Sequence, residues 1–300
     1  MQGERMHHAW LLAGRRGVGK GAFALAAARE LVGGPQQGDH PDIIILTHLP
    51  KDDREAAKRD EGKPFEVNRN IKIDQIRAMQ HRLTTRPTIG DRRAVIVDPA
   101  DDMESSASNA LLKSLEEPPG GTFFLLVAHR PGRLLPTIRS RCRILRFPLV
   151  DDREIDAMLQ REVPKADDAT RAAAIAAAGG SPGAALDFVE LGLGDLHRLM
   201  KRLVQEGDPD FALRGAMAEA IGARPDRQRQ LAAIELARAV VVEQMRGIAT
   251  PHVPALADAH DELAILAAQA PTYNFDPGLL VLEIGGLLAK LGAPRAKVHG

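Results

Sequence analysis

The sequence predicts an α/β domain built on a parallel sheet, followed by a helical remainder. Three observations carry that expectation. A short apolar run, Ala9–Ala13, leads through a glycine-rich loop into an Ala-rich helix reaching about Val32. Two further apolar runs, Ala94–Val97 and Phe123–Ala128, flank a helix whose Ala107, Ala110, Leu111, Ser114 and Leu115 share one face. From Asp152 onward helical segments follow one another, separated by Gly, Pro and Asp. Periodicity alone fits any doubly wound α/β protein.

Length and composition set the outer limits. Three hundred residues are enough for two or three domains. Apolar residues make up 44% and aromatics only 3%, so the core must be Leu, Ala, Val and Ile. Forty basic and 40 acidic residues cancel, which argues against a globally basic nucleic-acid binder but leaves room for a local patch. The single cysteine, Cys142, excludes a disulfide framework and suits a reducing compartment. The N-terminus lacks a signal-peptide pattern, and no run approaches the roughly 18 apolar residues of a membrane span. A soluble, cytoplasmic protein without membrane contact is expected.

Taken in order, the first element is the strand at 9–13. The loop after it, Gly14-Arg15-Arg16-Gly17-Val18-Gly19-Lys20-Gly21, has the spacing G-x-x-x-x-G-K. Such glycines let backbone N–H groups converge on phosphates, and the helix N-terminus adds a favourable dipole. Lys20 would reach the outer phosphates. The next residue should offer a hydroxyl to Mg²⁺, and Gly21 has no side chain. Gly14, Gly17, Gly19 and Lys20 are therefore candidate nucleotide contacts in a damaged cradle. The plainer reading is a strand–helix turn kept for its shape.

Ile43–Leu46 reads as a strand. Lys51–Lys63 is densely charged with mixed sign, so a solvated loop or short exposed helix is expected. Ile73–Leu83 is an amphipathic helix ended by Arg86-Pro87. The strand at 94–97 closes at Asp98. Ser105 or Ser106 can cap the following helix, and Pro118-Pro119 stop it. The strand at 123–128 leads to His129 and then to a basic turn, Thr137-Ile138-Arg139-Ser140-Arg141-Cys142. Beyond it, helices are expected at roughly 152–162, 169–178, 182–191, 195–205, 209–222, 226–247, 256–269 and 277–291. Leu231, Ile234, Leu236, Ala237, Val240 and Val241 form an apolar stripe wider than one packing face needs. Tyr273 and Phe275 read as core or interface residues, and the tail from Pro294 as frayed.

The twelve residues Ser108–Pro119, SNALLKSLEEPP, followed by TIRSRC at 137–142, resemble the clamp-loader branch of the AAA+ ATPases. Within that branch they look most like the delta-prime type of subunit of bacterial DNA polymerase III. The resemblance is strong from about His7 to Phe147 and weak beyond. It implies an AAA+ P-loop domain over 1–150, a small helical lid over 151–192 and an all-α collar over 193–300 through which subunits hold one another.

The resemblance also assigns roles. Asp98 stands where the family places its magnesium-associated acid. The next position, a Glu that activates the attacking water, is Pro99, which has no base to offer. Asp101 and Asp102 read as solvated turn residues or helix-leading charges. His129 stands where a polar sensor residue is usual, although a lone histidine at a strand end is more often a hydrogen-bonded surface residue. The lid's sensor arginine is replaced by Gly183. Ser140-Arg141-Cys142 is intact, and its arginine would point at a neighbour's bound ATP. The plainer reading of Arg141 is a surface residue in a basic turn. Cys142 reads as a small core residue.

Relatives often carry a four-cysteine zinc module near 51–63. One cysteine cannot make it, so no zinc or other metal site is expected. The resemblance implies a delta-prime-like subunit without its own ATPase cycle, with ATP or ADP held weakly if at all. Its partners would be gamma/tau and delta subunits, with the sliding clamp and primer–template DNA reached through the complex. The alternatives are an active gamma/tau-type ATPase subunit, which needs the groups missing at 21 and 99, and a free-standing nucleotide-binding module.

Overall fold

A computed structural model describes residues 6–33, 38–63, 65–222, 225, 227–245, 253–269 and 276–292. The chain divides into two compact units, Met1–Pro148 and Leu149–Gly300.

The first unit holds a five-stranded sheet: β1 (Ala9–Ala13), β2 (Ile43–Leu46), β3 (Arg93–Val97), β4 (Thr122–Ala128) and β5 (Arg143–Arg146). Its order is β2-β3-β4-β1-β5, and every pairing is parallel. Strands covered on both faces read as unbroken apolar runs. Successive residues serve opposite cores. Leu12, Ile96 and Val127 meet Ala24, Ala28 and Val32 of α1 (Lys20–Val32) on one face. Leu11, Val95, Val97 and Leu126 face the other core, with Ile76, Met79 and Leu83 of α3 (Ile73–Leu83) and Leu111 and Leu115 of α4 (Ser105–Glu116). Alanines on the buried side of α1 let the helix axis come close to the sheet.

One open expectation is settled and two local details are new. The charged stretch at 51–63 holds a helix, α2 (Asp53–Asp60), which Asp52 caps by accepting from the Glu55 amide at 2.9 Å. Neither Ser105 nor Ser106 caps α4: Glu104 is the N-cap residue, and its side chain makes no capping bond. The stretch after the basic turn is a strand, β5, for which the sequence pattern predicted no element. Its Arg-Ile-Leu-Arg sequence does not alternate, because it is an edge strand paired on one side with β1.

The second unit is all helical among the described residues. It comprises α6 (Asp152–Glu162), α7 (Asp168–Ala178), α8 (Pro182–Glu190), α9 (Gly194–Glu206), α10 (Ala212–Ile221), α11 (Arg227–Met245), α12 (Val253–Gln269) and α13 (Pro277–Gly292). A one-turn helix, α5 (Pro136–Arg139), completes the first unit. Asp151, Asp167 and Ser181 cap α6, α7 and α8 through their side chains. Helices of the expected lid and of the expected collar share one apolar core running from Ile155 and Leu159 through Phe188, Met200 and Leu203 to Ile284 and Leu288. They therefore form one compact unit. The wide stripe of α11 is absorbed by that core, with Ile234, Leu236, Ala237, Val240 and Val241 all buried. Tyr273, Phe275 and the tail from Pro294 lie outside the described residues.

Candidate functional site

The loop between β1 and α1 is shaped by its glycines. Gly17 and Gly19 have φ of 81° and 90°, values that β-carbon-bearing residues rarely adopt. Gly14 is needed for space, since a Cβ there would sit 2.6 Å from the Phe147 carbonyl oxygen. Lys20 opens α1 and is only 2% exposed. Its Nζ donates to the carbonyls of Gly14 at 2.7 Å and Arg15 at 2.6 Å. An ammonium has three donors, so two serve the loop itself. Burial pushes the Lys20 pKa down to about 8, against the opposing pull of Asp98 and Asp101.

Gly21 and Asp98 meet across this site. A Cβ on Gly21 would lie 2.6 Å from Asp98 Oδ2, so the carboxylate stands where a residue-21 side chain would project. Burial raises the Asp98 pKa above its ordinary value, with Lys20 and Arg16 opposing. Asp98 leaves β3 with its amide bonded to the Leu46 carbonyl at 2.9 Å, and Pro99 follows through a cis peptide. The structure thus brings together Gly14, Gly17, Gly19, Lys20 and Asp98. Loop amides and Lys20 suit a phosphate. Gly21 offers no hydroxyl beside Lys20, and Pro99 no carboxylate beside Asp98. Among the described residues no group of three or more His, Cys, Asp or Glu side chains is placed to hold a metal.

A polar network behind Asp98 escaped the sequence reading. Asp101 is buried, and its carboxylate accepts from the amides of His129 and Arg130, both at 2.9 Å, with Arg130 Nε 3.6 Å away. It ties the turn after β3 to the end of β4 and is not a solvated turn residue. Asp102 pairs with His48 at 3.4 Å and with Arg130 at 3.4 Å. His129 is half-buried, and its Nδ1 has no hydrogen-bond partner. Burial, helped by the Lys20 charge, pushes its pKa down to about 4. The available signal was the Asp-Asp pair one turn after a strand whose neighbour ends in His-Arg.

Arg141 lies elsewhere, on the turn between α5 and β5. Its guanidinium contacts the Glu116 carboxylate and donates to the Thr137 carbonyl at 2.9 Å. The side chain is 35% exposed. Cys142 beside it is half-buried, and burial pushes its thiol up to about 12, so it is not a nucleophile at neutral pH. Gly183 occupies the first turn of α8 in the second unit.

The sheet order and the loop after β1 are those of an AAA+ domain. A family model described as DNA polymerase III, delta subunit, matches residues 1–151. The DNA polymerase III subunit delta′ of Pseudomonas aeruginosa is 35% identical over 191 residues, 58% of this chain and 53% of that protein. The gamma/tau subunit of Mycobacterium bovis is 32% identical over 232 residues, 73% of this chain and 39% of that protein. The match to the delta′ relative thus spans about half of that protein's length. Among solved structures, a DNA polymerase III gamma subunit-related protein from Thermotoga maritima superposes with a TM-score of 0.56 at 18% identity, covering 96% of each chain. That likeness speaks to the fold alone. With half its length inside the family match, the chain belongs to the delta-prime family of DNA polymerase III clamp-loader subunits.

Proposed function

We propose that this chain is a clamp-loader subunit that does not cycle ATP itself and instead offers Arg141 to ATP held by a neighbouring subunit. The observation that carries the first half is the meeting of Gly21 and Asp98. The metal-ligating hydroxyl is absent, the carboxylate fills its place, and Pro99 follows where a base would be needed. Support for the second half is the intact Ser140-Arg141-Cys142 turn with a half-exposed guanidinium. Arginine suits this task because its planar fork matches phosphate oxygens. The partners would be gamma/tau-type and delta-type subunits, and the loader would place the sliding clamp on primer–template DNA.

No metal is required in this reading. The excursion at 49–68, near the place of the relatives' zinc module, is closed by its own hydrogen bonds. Lys51 N donates to the Glu66 carbonyl at 3.0 Å, Asn68 N to that of Leu49 at 2.7 Å, and Glu66 N to the buried Glu55 carboxylate at 2.7 Å. No helix among the described residues is long and apolar enough to cross a membrane. A cytoplasmic location is part of the proposal.

Steady-state ATP turnover by the purified chain tests the first half. Rates at background are expected, since the missing base alone is worth on the order of 10²–10⁴ in rate. Turnover abolished by Lys20→Ala would instead identify an active gamma/tau-type ATPase.

A further inference from the structure

Glu116 closes α4 and faces Arg141 across the α4–α5 junction. Both residues stand on fixed supports. Leu115, the preceding residue, is 1% exposed, and its carbonyl bonds to His8 Nε2 at 2.9 Å, which ties the end of α4 to the start of β1. Ile138, three residues before Arg141, is fully buried, and its carbonyl accepts from the Arg141 amide at 3.1 Å. Between these supports the guanidinium is gripped at both terminal nitrogens. Nη1 donates to the Thr137 carbonyl at 2.9 Å and reaches Ser140 Oγ at 3.5 Å, while Nη2 contacts Glu116 Oε1.

We infer that Glu116 is a positioning residue for Arg141, holding its guanidinium in one orientation before a neighbour's phosphate arrives. This rests on the reading of Arg141 given above. A free arginine side chain loses considerable rotamer freedom when it is fixed, and a group already held avoids that loss at the moment of reaction. Magnitudes decide between holding and blocking. An exposed ion pair is worth up to about five-fold in an equilibrium. An arginine meeting a transferring phosphoryl group is worth roughly 10³–10⁵ in rate. Glu116 is far too weak a partner to keep Arg141 from a triphosphate, so it orients the side chain without locking it away. Glutamate is suited to this because its carboxylate can release Nη2 once phosphate oxygens compete for it.

The test is steady-state ATPase of the fully assembled loader carrying Glu116→Ala, Glu116→Gln, Arg141→Ala or the Glu116→Ala/Arg141→Ala pair. Glu116 is half-exposed at a helix end, so these substitutions leave the core intact, and assembly is checked by gel filtration. Glu116→Ala should lower kcat at the site facing this chain by about two- to five-fold, with the KM for ATP unchanged. Glu116→Gln, which keeps a hydrogen-bond acceptor, should retain more of the rate. In the Arg141→Ala background Glu116→Ala should do nothing further, because it acts only through that arginine. A rate unchanged or raised by Glu116→Ala, where Arg141→Ala itself lowers it, overturns the positioning role and leaves the function of Arg141 standing. No effect of Arg141→Ala removes the trans arginine itself, and the role of Glu116 with it.

Discussion

The loop after β1 and the turn before β5 are the two regions proposed above to meet phosphate, and they are constructed in opposite ways. In and around the loop, polar groups answer one another: Lys20 donates to the loop's own carbonyls, Asp98 at the end of β3 stands over Gly21, and Asp101 on the turn after β3 is engaged by the amides of His129 and Arg130. In the turn, Arg141 is held at its flank and remains partly open to solvent. A region whose charges are turned inward should report substitutions mainly in stability and titration. A region whose charge is turned outward should report them in the rate of something else.

The sharpest way to break that contrast is at Arg141. In a reconstituted loader, Arg141→Ala should slow the site facing this chain on the order of 10³-fold or more. Other ATP sites continue, so total DNA- and clamp-stimulated ATPase should fall in part and clamp loading more steeply. Arg141→Lys should not restore either, because an ammonium lacks the planar fork. The unfolding free energy of the chain itself should move by no more than about 0.5 kcal/mol. Wild-type rates in complexes shown to be assembled would make Arg141 an ordinary surface arginine.

A smaller effect is expected from the loop and should appear against pH. The folded His129 pKa, about 4, lies below its ordinary value of 6.5, so stability through this group is full above 6.5 and is lost as pH falls toward 4. Lys20 behaves likewise at higher pH: its folded pKa of about 8 lies below 10.5, and stability through it rises between those values. Denaturant unfolding across pH should therefore show two rising segments, the upper one opposed above about pH 9 by Cys142, whose thiol pKa is held up to about 12 in the folded chain. His129→Gln should flatten the lower one, to which His197, also held below its ordinary value by burial, adds a part. Lys20→Met should flatten the upper one. Identical pH profiles for wild type and both variants would mean that the loop is not closed in on itself.

The smallest effect concerns Gly21. Restoring the hydroxyl with Gly21→Ser should not restore turnover, because Pro99 offers no base and Asp98 must first swing aside. By calorimetry the wild type should bind nucleotide weakly and without dependence on Mg²⁺, and the variant should gain little Mg²⁺ dependence. A large Mg²⁺-dependent gain in the variant would show that one missing oxygen was the whole defect.

The legible parts of this chain were those where covalent pattern dictates geometry. Both faces of the sheet could be read because Val95-Ile96 and Leu126-Val127 supply adjacent apolar residues to two different cores. The want of a hydroxyl at 21 and of a carboxylate at 99 could be read because glycine and proline lack those groups whatever the fold does. The role of Asp101 could not, since it depends on which strand end lies beside the turn after β3. The pairing of Glu116 with Arg141 was hidden for the same reason, as the two stand 25 positions apart with a strand between them. β5 was hidden because an edge strand has no need to alternate.

The parallel pairing of β5 with β1 has one more consequence. Arg143 stands opposite Trp10 and Arg146 opposite Ala13, so the turn carrying Arg141 is at the entry end of these strands and the phosphate loop at their exit, roughly 15 Å away. An assembly in which one member's turn meets the next member's loop is head-to-tail and has polarity. A member with a sound turn and a disabled loop possesses a sending face without a receiving one. On the proposed function such a member would act on a neighbour to one side and answer none on the other, which would suit it to the end of a row and not to its interior.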